Sequence, residues 1–232
     1  MSNNNQIPVG VGNIPMQANP MNSLNQMNLV FLNNNLANLN LQNNIQINQN
    51  FRIQKLIQSM ESFDVLTFQT LLSNNQFNNQ IKNSLLNHSI LLYLIHFNQA
   101  NAQNPLRQII TILLKVKANP NLRLRVLNNQ INLINYNNSY LLFPIVEKND
   151  IELVKVFLDN NADINVLDSQ GRNCLFYLMI NQNNSNNLID RRPLCSLLLT
   201  RGIKINIFDN NGISPMMESI NNGYIYIIAE SN

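Results

Sequence analysis

One pattern recurs along the chain at intervals close to 40 residues. In each copy, a leucine near the end of an apolar stripe is followed four positions later by a small or apolar residue, and three positions after that by asparagine. The copies are Leu114, Ala118 and Asn121, then Leu158, Ala162 and Asn165, then Leu199, Ile203 and Asn206. The middle residues lie 44 and 41 positions apart. Such self-similarity is typical of repeat proteins, in which no unit covers its apolar face alone and each stacks on its neighbours.

The spacing of apolar residues predicts two helices in each unit. Apolar residues recur at helical intervals in four segments before the clearest copies, and polar runs such as residues 74–82 separate these segments. The segments are 51–60, 66–72, 90–97 and 109–116. The sequence therefore predicts a succession of helix, helix and polar loop.

Short motifs between the helices resemble those of the ankyrin repeat. In that family, the second helix carries a Val-Val and Leu-Leu stripe, ends in Gly-Ala-Asp-x-Asn, and is followed by an Asp-x-x-Gly hairpin and a Thr-Pro-Leu-His helix start. The matching segments here are Asn161-Ala162-Asp163-Ile164-Asn165, Asp168-Ser169-Gln170-Gly171, Asp209-Asn210-Asn211-Gly212 and Ser214-Pro215-Met216-Met217. The resemblance implies an all-α fold: an ankyrin-like helical-repeat solenoid over residues 51–232, with about four units and a partial C-terminal one.

Three departures from the family pattern imply an irregular stack. The family's histidine, which links repeats by hydrogen bonds, is replaced by Leu92, Phe143, Phe176 and Met217, so we expect apolar packing in place of a polar network. Bulky pairs replace the alanines of the first helices, at 145–146, 178–179 and 219–220. Insertions at residues 122–134 and 181–187 lengthen the spacing between units.

The first 50 residues differ in composition from the rest of the chain. They are dominated by Asn and Gln and contain no charged side chain. Such a segment buries too little apolar surface to offset its ordering entropy, which predicts disorder over residues 1–50. Alternation at 39–41 and 45–47 leaves a strand or an aggregation-prone segment as the alternative.

Composition also limits the classes of function. Charged residues make up only 12% of the chain and the net charge is +3, too dilute a basic character to favour nucleic-acid binding. We see neither a signal peptide nor an apolar run long enough to cross a membrane, and we expect a cytoplasmic or nuclear protein.

Titratable residues form no pattern that indicates catalysis, a cofactor or a metal site. Cys174 and Cys195 are predicted to be small core residues, and His96 a packed or half-exposed one. The acidic residues between 147 and 159 are expected to form a solvated helix face. The sequence therefore predicts a non-enzyme with no cofactor and no metal.

By the resemblance, the hairpin tips and the concave face would bind another protein. The matching positions are Glu147, Lys148, Leu167, Ser169, Gln170, Arg172, Phe208, Asn210, Asn211 and Ile213. Leu167 and Phe208 are candidate anchors, because exposed apolar side chains at hairpins can carry binding energy; packing against the neighbouring hairpin is the alternative.

A basic group, Lys115, Lys117, Arg123 and Arg125, could meet an acidic partner or phosphate, although a solvated surface with favourable helix-dipole contacts is favoured. We expect a protein-binding adaptor. The alternatives are a self-assembling protein driven by its N-terminal segment and a regulatory piece of a larger protein.

Overall fold

The computed structural model of the chain describes residues 43–74, 76–126, 131–179 and 190–221. Within these ranges the backbone is helical, and the only strand-like pairing is an isolated antiparallel bridge between Arg123 and Tyr140. The α-helices are α1 (Asn43–Glu61), α2 (Val65–Ser73), α3 (Asn79–Ile95), α4 (Ala100–Lys115), α5 (Leu142–Glu147), α6 (Ile151–Asp159), α7 (Cys174–Leu178), α8 (Arg192–Thr200) and α9 (Pro215–Asn221), and a 3₁₀-helix spans Ile131–Tyr136. The predicted all-α fold is confirmed.

The helices pack in two layers. Odd-numbered helices are the first helices of successive units, and even-numbered helices are the second. Each of α1, α3, α5 and α7 packs on the helix that follows it, while α2, α4, α6 and α8 form a continuous row from unit to unit. First helices pack on one another at α1 with α3 and along α5, α7 and α9. This is the arrangement of a stacked helical-repeat protein.

Second helices end in the same way in consecutive units. The second residue after the helix adopts a positive φ at Lys117 (70°), Asn161 (66°) and Gly202 (82°). The next amide N–H then reaches back to a carbonyl five residues earlier, as in Ala118 to Leu113 at 3.0 Å. This Schellman-type ending satisfies carbonyls that the helix leaves unpaired. The recurring motif detected in the sequence is therefore a recurring helix terminus.

Apolar side chains fill the positions that histidine holds in the ankyrin-repeat pattern that the sequence resembles. Leu92, Phe143 and Phe176 are buried, whereas Met217, in the last described helix, is 46% exposed. The Phe143 and Tyr177 rings also pack together across units 3 and 4, with centroids 4.6 Å apart. The expected apolar packing between units is confirmed at the three inner positions.

Hydrogen bonds between units are present at other positions, on asparagines of the recurring motif. The Asn121 amide donates to the carbonyl of Asn161 (3.2 Å) and accepts from the N–H of Asp163 (2.7 Å). One unit later, the Asn165 amide donates to the carbonyl of Gly202 (3.1 Å) and accepts from the N–H of Lys204 (2.8 Å). A side-chain amide offers both a donor and an acceptor, so one asparagine brackets the backbone of the next unit. We call Asn121 and Asn165 the asparagine ladder.

The first described helix begins earlier than predicted. Residues 43–50, which composition assigned to a disordered segment, lie in α1, and residues 45–47 are helical rather than a strand. Once residues 53–60 pack in the core, each further residue extends the helix with one hydrogen bond at little cost, which composition alone does not capture. The predictions for residues 1–42 and for the insertion at 181–187 lie outside the described residues.

Candidate partner-binding surface

Two similar turns form the hairpin tips of units 4 and 5. The Asp168 carboxylate accepts from the N–H groups of Gln170 (2.7 Å) and Arg172 (2.9 Å). Asp209 accepts in the same way from the N–H groups at 211 and 213, both at 2.9 Å. Each turn places glycine at positive φ, 78° at Gly171 and 75° at Gly212, which glycine adopts without steric cost. Both predicted hairpins are therefore present, and in each the aspartate side chain accepts hydrogen bonds from backbone N–H groups of the same turn.

The two turns are joined to each other. Asn210 donates its backbone N–H to the carbonyl of Gln170 (2.8 Å) and its side-chain amide to the carbonyl of Ser169 (3.1 Å). Arg172 donates through Nε (3.0 Å) and Nη2 (2.8 Å) to the buried Asp209 carboxylate. The Ile213 N–H and the Arg172 guanidinium hold the pKa of Asp209 below its usual value. The tips therefore form one hydrogen-bonded surface.

Apolar side chains stand immediately before both turns. Leu167 is 46% exposed and Phe208, at the equivalent position of the next unit, is 62% exposed. Phe208 also borders an apolar cavity of about 190 Å³ together with Ile205, Met216 and Met217. Neither side chain is buried by the neighbouring hairpin, so both are available to contact a partner.

The remaining predicted positions divide into two groups. Asn211 is exposed and Ile213 half-buried at the second tip. Glu147 and Lys148, at the end of α5, contact other parts of the molecule: Glu147 accepts from the Tyr136 hydroxyl (2.9 Å), and the Lys148 ammonium lies 5.5 Å from the centroid of the Phe97 ring. These two side chains are partly held by the end of the 3₁₀-helix and by unit 2.

Asp150 was expected on a solvated acidic face, and this prediction is wrong. Its side chain is buried, and Oδ2 accepts from the Tyr93 hydroxyl and from Arg107 Nε, both at 2.6 Å. Oδ1 caps α6 by accepting from the N–H of Leu153 at 3.1 Å. Burial and the nearby carboxylate raise the pKa of Tyr93. The sequence did not reveal this network because Arg107 and Tyr93 lie 43 and 57 residues from Asp150 along the chain.

The buried cysteine and histidine side chains are packed in the core and form no metal-binding cluster among the described residues. Cys174 and Cys195 are buried free thiols, as predicted, and burial raises the pKa of Cys174 to about 12. His96 is buried, with Nδ1 2.8 Å from Gln99 Oε1 and its ring against Phe63. Among the described residues, no three His, Cys, Asp or Glu side chains lie close enough to hold a metal ion.

The described start of the insertion, residues 122–126, makes contacts that the sequence did not reveal. Its start is tied back to the segment that follows it, with the Leu124 N–H donating to the Ser139 carbonyl at 2.7 Å. Arg123 donates to the Asn138 carbonyl (2.9 Å) and to the Tyr140 hydroxyl (3.2 Å), and its guanidinium lies 4.2 Å from the Tyr140 ring centroid. One member of the predicted basic group therefore holds the insertion in place.

Paired helices stacked in two layers, with hydrogen-bonded turns along one edge, define a helical-repeat scaffold. Residues 142–230 match the family model of ankyrin repeats (3 copies). Residues 142–230 are therefore similar to ankyrin repeats, as the resemblance indicated, and they correspond to units 3 to 5 of the stack.

Two known proteins are similar to this chain. An ankyrin repeat protein of fowlpox virus (strain NVSL) is 30% identical over 122 residues, which are 43% of this chain and 29% of the relative's length. The chain thus spans less than a third of that relative. The crystal structure of an ankyrin repeat domain from Acinetobacter baumannii AYE superposes with a TM-score of 0.54 at 18% identity, over 76% of this chain and 78% of that one. The second likeness confirms the ankyrin fold. Across the described ranges, none of the helices combines the length and apolar character that spanning a bilayer requires.

Proposed function

We propose that the chain is a non-catalytic protein-protein interaction module that binds its partner through the hairpin tips and the concave face. Ankyrin repeats generally serve as protein-binding modules, which supports the class of function. The observation that carries the proposal is the exposure of Leu167 and Phe208 on two turns that are hydrogen-bonded to each other.

Rigid support is what makes these side chains suitable as anchors. Binding energy at protein interfaces is concentrated in a few apolar or aromatic side chains, and ordering a mobile loop on binding reduces the affinity. Here the Arg172–Asp209 ion pair and the Asn210 bonds order the loops in the free protein. A partner can therefore bury the two apolar side chains without the entropic cost of ordering the loops.

The remaining members of the proposed surface surround these anchors with polar groups. Ser169, Gln170, Asn210 and Asn211 are exposed and form a polar rim, an arrangement typical of protein interfaces. Glu147 and Lys148 extend the proposed surface towards unit 3.

The test compares the wild-type chain with the double variant Leu167→Arg, Phe208→Arg in affinity capture followed by mass spectrometry. A matched control, Leu66→Arg, places the same change on α2, where Leu66 is 75% exposed. Circular dichroism checks that all three proteins fold equally. We expect partners to be lost from the double variant and retained by the control. Retention of the same partners by a folded double variant would refute the surface assignment.

A further inference from the structure

Two polar grooves lie on either side of Arg123. The first, of about 320 Å³, separates the insertion from the turn of unit 4, and its walls include Asn135, Ser139 and Gln170. The second, of about 470 Å³, lies between α3 and the loop that contains Arg125. Because Arg123 lines both, the two grooves adjoin. We call Arg123, Arg125, Asn135, Ser139 and Gln170 the insertion trough.

The walls of the trough offer amides to a ligand. Asn87, in the second groove, already brackets a backbone residue: its Oδ1 accepts from the Arg125 N–H (2.9 Å) and its Nδ2 donates to the Arg125 carbonyl (3.3 Å). Asn135 and Gln170 carry the same donor and acceptor pair on exposed side chains. The trough is therefore chemically matched to the alternating N–H and C=O groups of an extended peptide.

The charge of the trough is positive. Arg123 donates to two neutral oxygens, and it takes part in no ion pair within the described residues. The carboxylate that lines the first groove, Asp168, is already occupied by two backbone N–H groups and by the Tyr177 hydroxyl at 3.0 Å. The Arg123 guanidinium therefore favours a carboxylate supplied from outside.

A buried hydroxyl in the same groove also indicates a ligand. Ser139 is only 7% exposed, and its Oγ has no hydrogen-bond partner among the described residues. A buried polar atom without a partner costs free energy, and such an atom in the wall of a groove is satisfied when a ligand supplies the missing bond.

From these observations we propose that the insertion trough binds an extended, acidic segment of the partner protein. A carboxylate of the segment meets Arg123, and its backbone pairs with the amides of Asn135 and Gln170. The inference rests on the proposed function and specifies the chemistry of the partner. Three arginines line the two grooves, and one of them, Arg172, is paired with Asp209. This is few against the roughly 6 to 10 phosphate contacts of a nucleic-acid backbone, which favours a peptide.

The experiment measures binding of a fluorescein-labelled peptide of alternating Glu and Ser to the full chain by anisotropy. A peptide with Gln in place of Glu is the neutral control, and a ten-residue oligouridylate tests nucleic acid. The protein variants are Gln170→Lys and Gln170→Glu, since this exposed side chain can gain either charge without disturbing the fold. Gln69→Lys and Gln69→Glu, at an exposed position on α2, are matched controls.

We expect Gln170→Lys to strengthen binding and Gln170→Glu to weaken it, each by about two- to fivefold, the range of a solvent-exposed ion pair. The Gln69 variants should match the wild type. Equal affinities at all Gln170 variants, equal binding of the neutral peptide, or tighter binding of the oligouridylate would overturn the inference. If partner capture still depends on Leu167 and Phe208 in that case, the proposed function stands without it. Conversely, opposite shifts at Gln170 support the trough even if the capture experiment fails.

Discussion

Replacing Asp150 by alanine should destabilise the stack more than any exposed acidic substitution. The change removes the cap of α6, worth about 1 kcal/mol, and leaves the Tyr93 hydroxyl without its acceptor. It also removes the partner of Arg107. One-sided loss of a buried ion pair costs about 3–5 kcal/mol, and the 33% exposure of Arg107 places this case at the lower end of that range. Because the same carboxylate makes all three contacts, we expect a total near 3–4 kcal/mol rather than their sum.

Asp150→Asn separates the contributions, because asparagine caps a helix well but carries no charge; we expect about 2 kcal/mol. The control is Glu152→Ala in the first turn of α6, where the side chain is 76% exposed and forms an exposed ion pair with Lys155; its cost should stay below about 1 kcal/mol. The assay is urea unfolding followed by circular dichroism at 222 nm. The reasoning fails if Asp150→Ala costs no more than Glu152→Ala.

Three further predictions concern the turns and the core. Gly202→Ala should cost about 1–2 kcal/mol from its positive φ alone, and Gly171→Ala should cost more in the same unfolding assay, since a Cβ there would lie 3.3 Å from the Asn210 amide oxygen. The Cys174 thiol should react with a maleimide only when the chain unfolds, because it is buried and its pKa is raised to about 12; labelling of the native protein would contradict this. Folding lowers the pKa of Asp209, so its contribution to the free energy of unfolding is complete above the unfolded value of 3.8 and is lost as the pH falls below it. When the free energy of unfolding is measured against pH, the Asp209→Asn variant should lack this acid-induced loss.

The sequence predicted the parts of the fold that depend on local pattern. Helical spacing located part of each helix of units 1 and 2, although α3 and α4 begin at Asn79 and Ala100, well before the predicted segments, and residues 79–82 of the predicted polar loop are helical. The Asp-x-x-Gly segments at 168–171 and 209–212 located the two turns. These features depend on residues that are neighbours along the chain. The start of α1 was missed because composition describes a segment without the helix to which it is attached.

Contacts between distant residues could not be predicted from the same patterns. Asp150 stands beside Asn149 and near Glu152, so its surroundings in the sequence resemble a solvated face, although Tyr93 and Arg107 from unit 2 enclose it. The asparagine ladder did leave a signal, since Asn121 and Asn165 hold the same position in successive copies of the motif. That signal identifies the repeat, but it does not give the bonds that the two side chains make to the next unit.

Arg123 illustrates a third limit. The sequence placed it in a basic group with Lys115 and Lys117, grouped by proximity along the chain. The structure assigns it a separate role, because its guanidinium bonds to residues beyond the insertion, 15 and 17 positions away. The role of an insertion depends on where it folds back, and spacing alone does not give this.

The asparagine ladder also constrains the geometry of the stack from unit 2 to unit 4. Apolar faces attract one another without a preferred direction, so helix packing alone allows neighbouring units to slide and rotate against each other. A hydrogen bond weakens steeply when its angle changes, and each ladder amide makes two bonds to residues two positions apart in the next unit. The amides of Asn121 and Asn165 therefore set the pitch and twist from one repeat to the next. Shortening either side chain should leave the units stacked but change the superhelical angle between them.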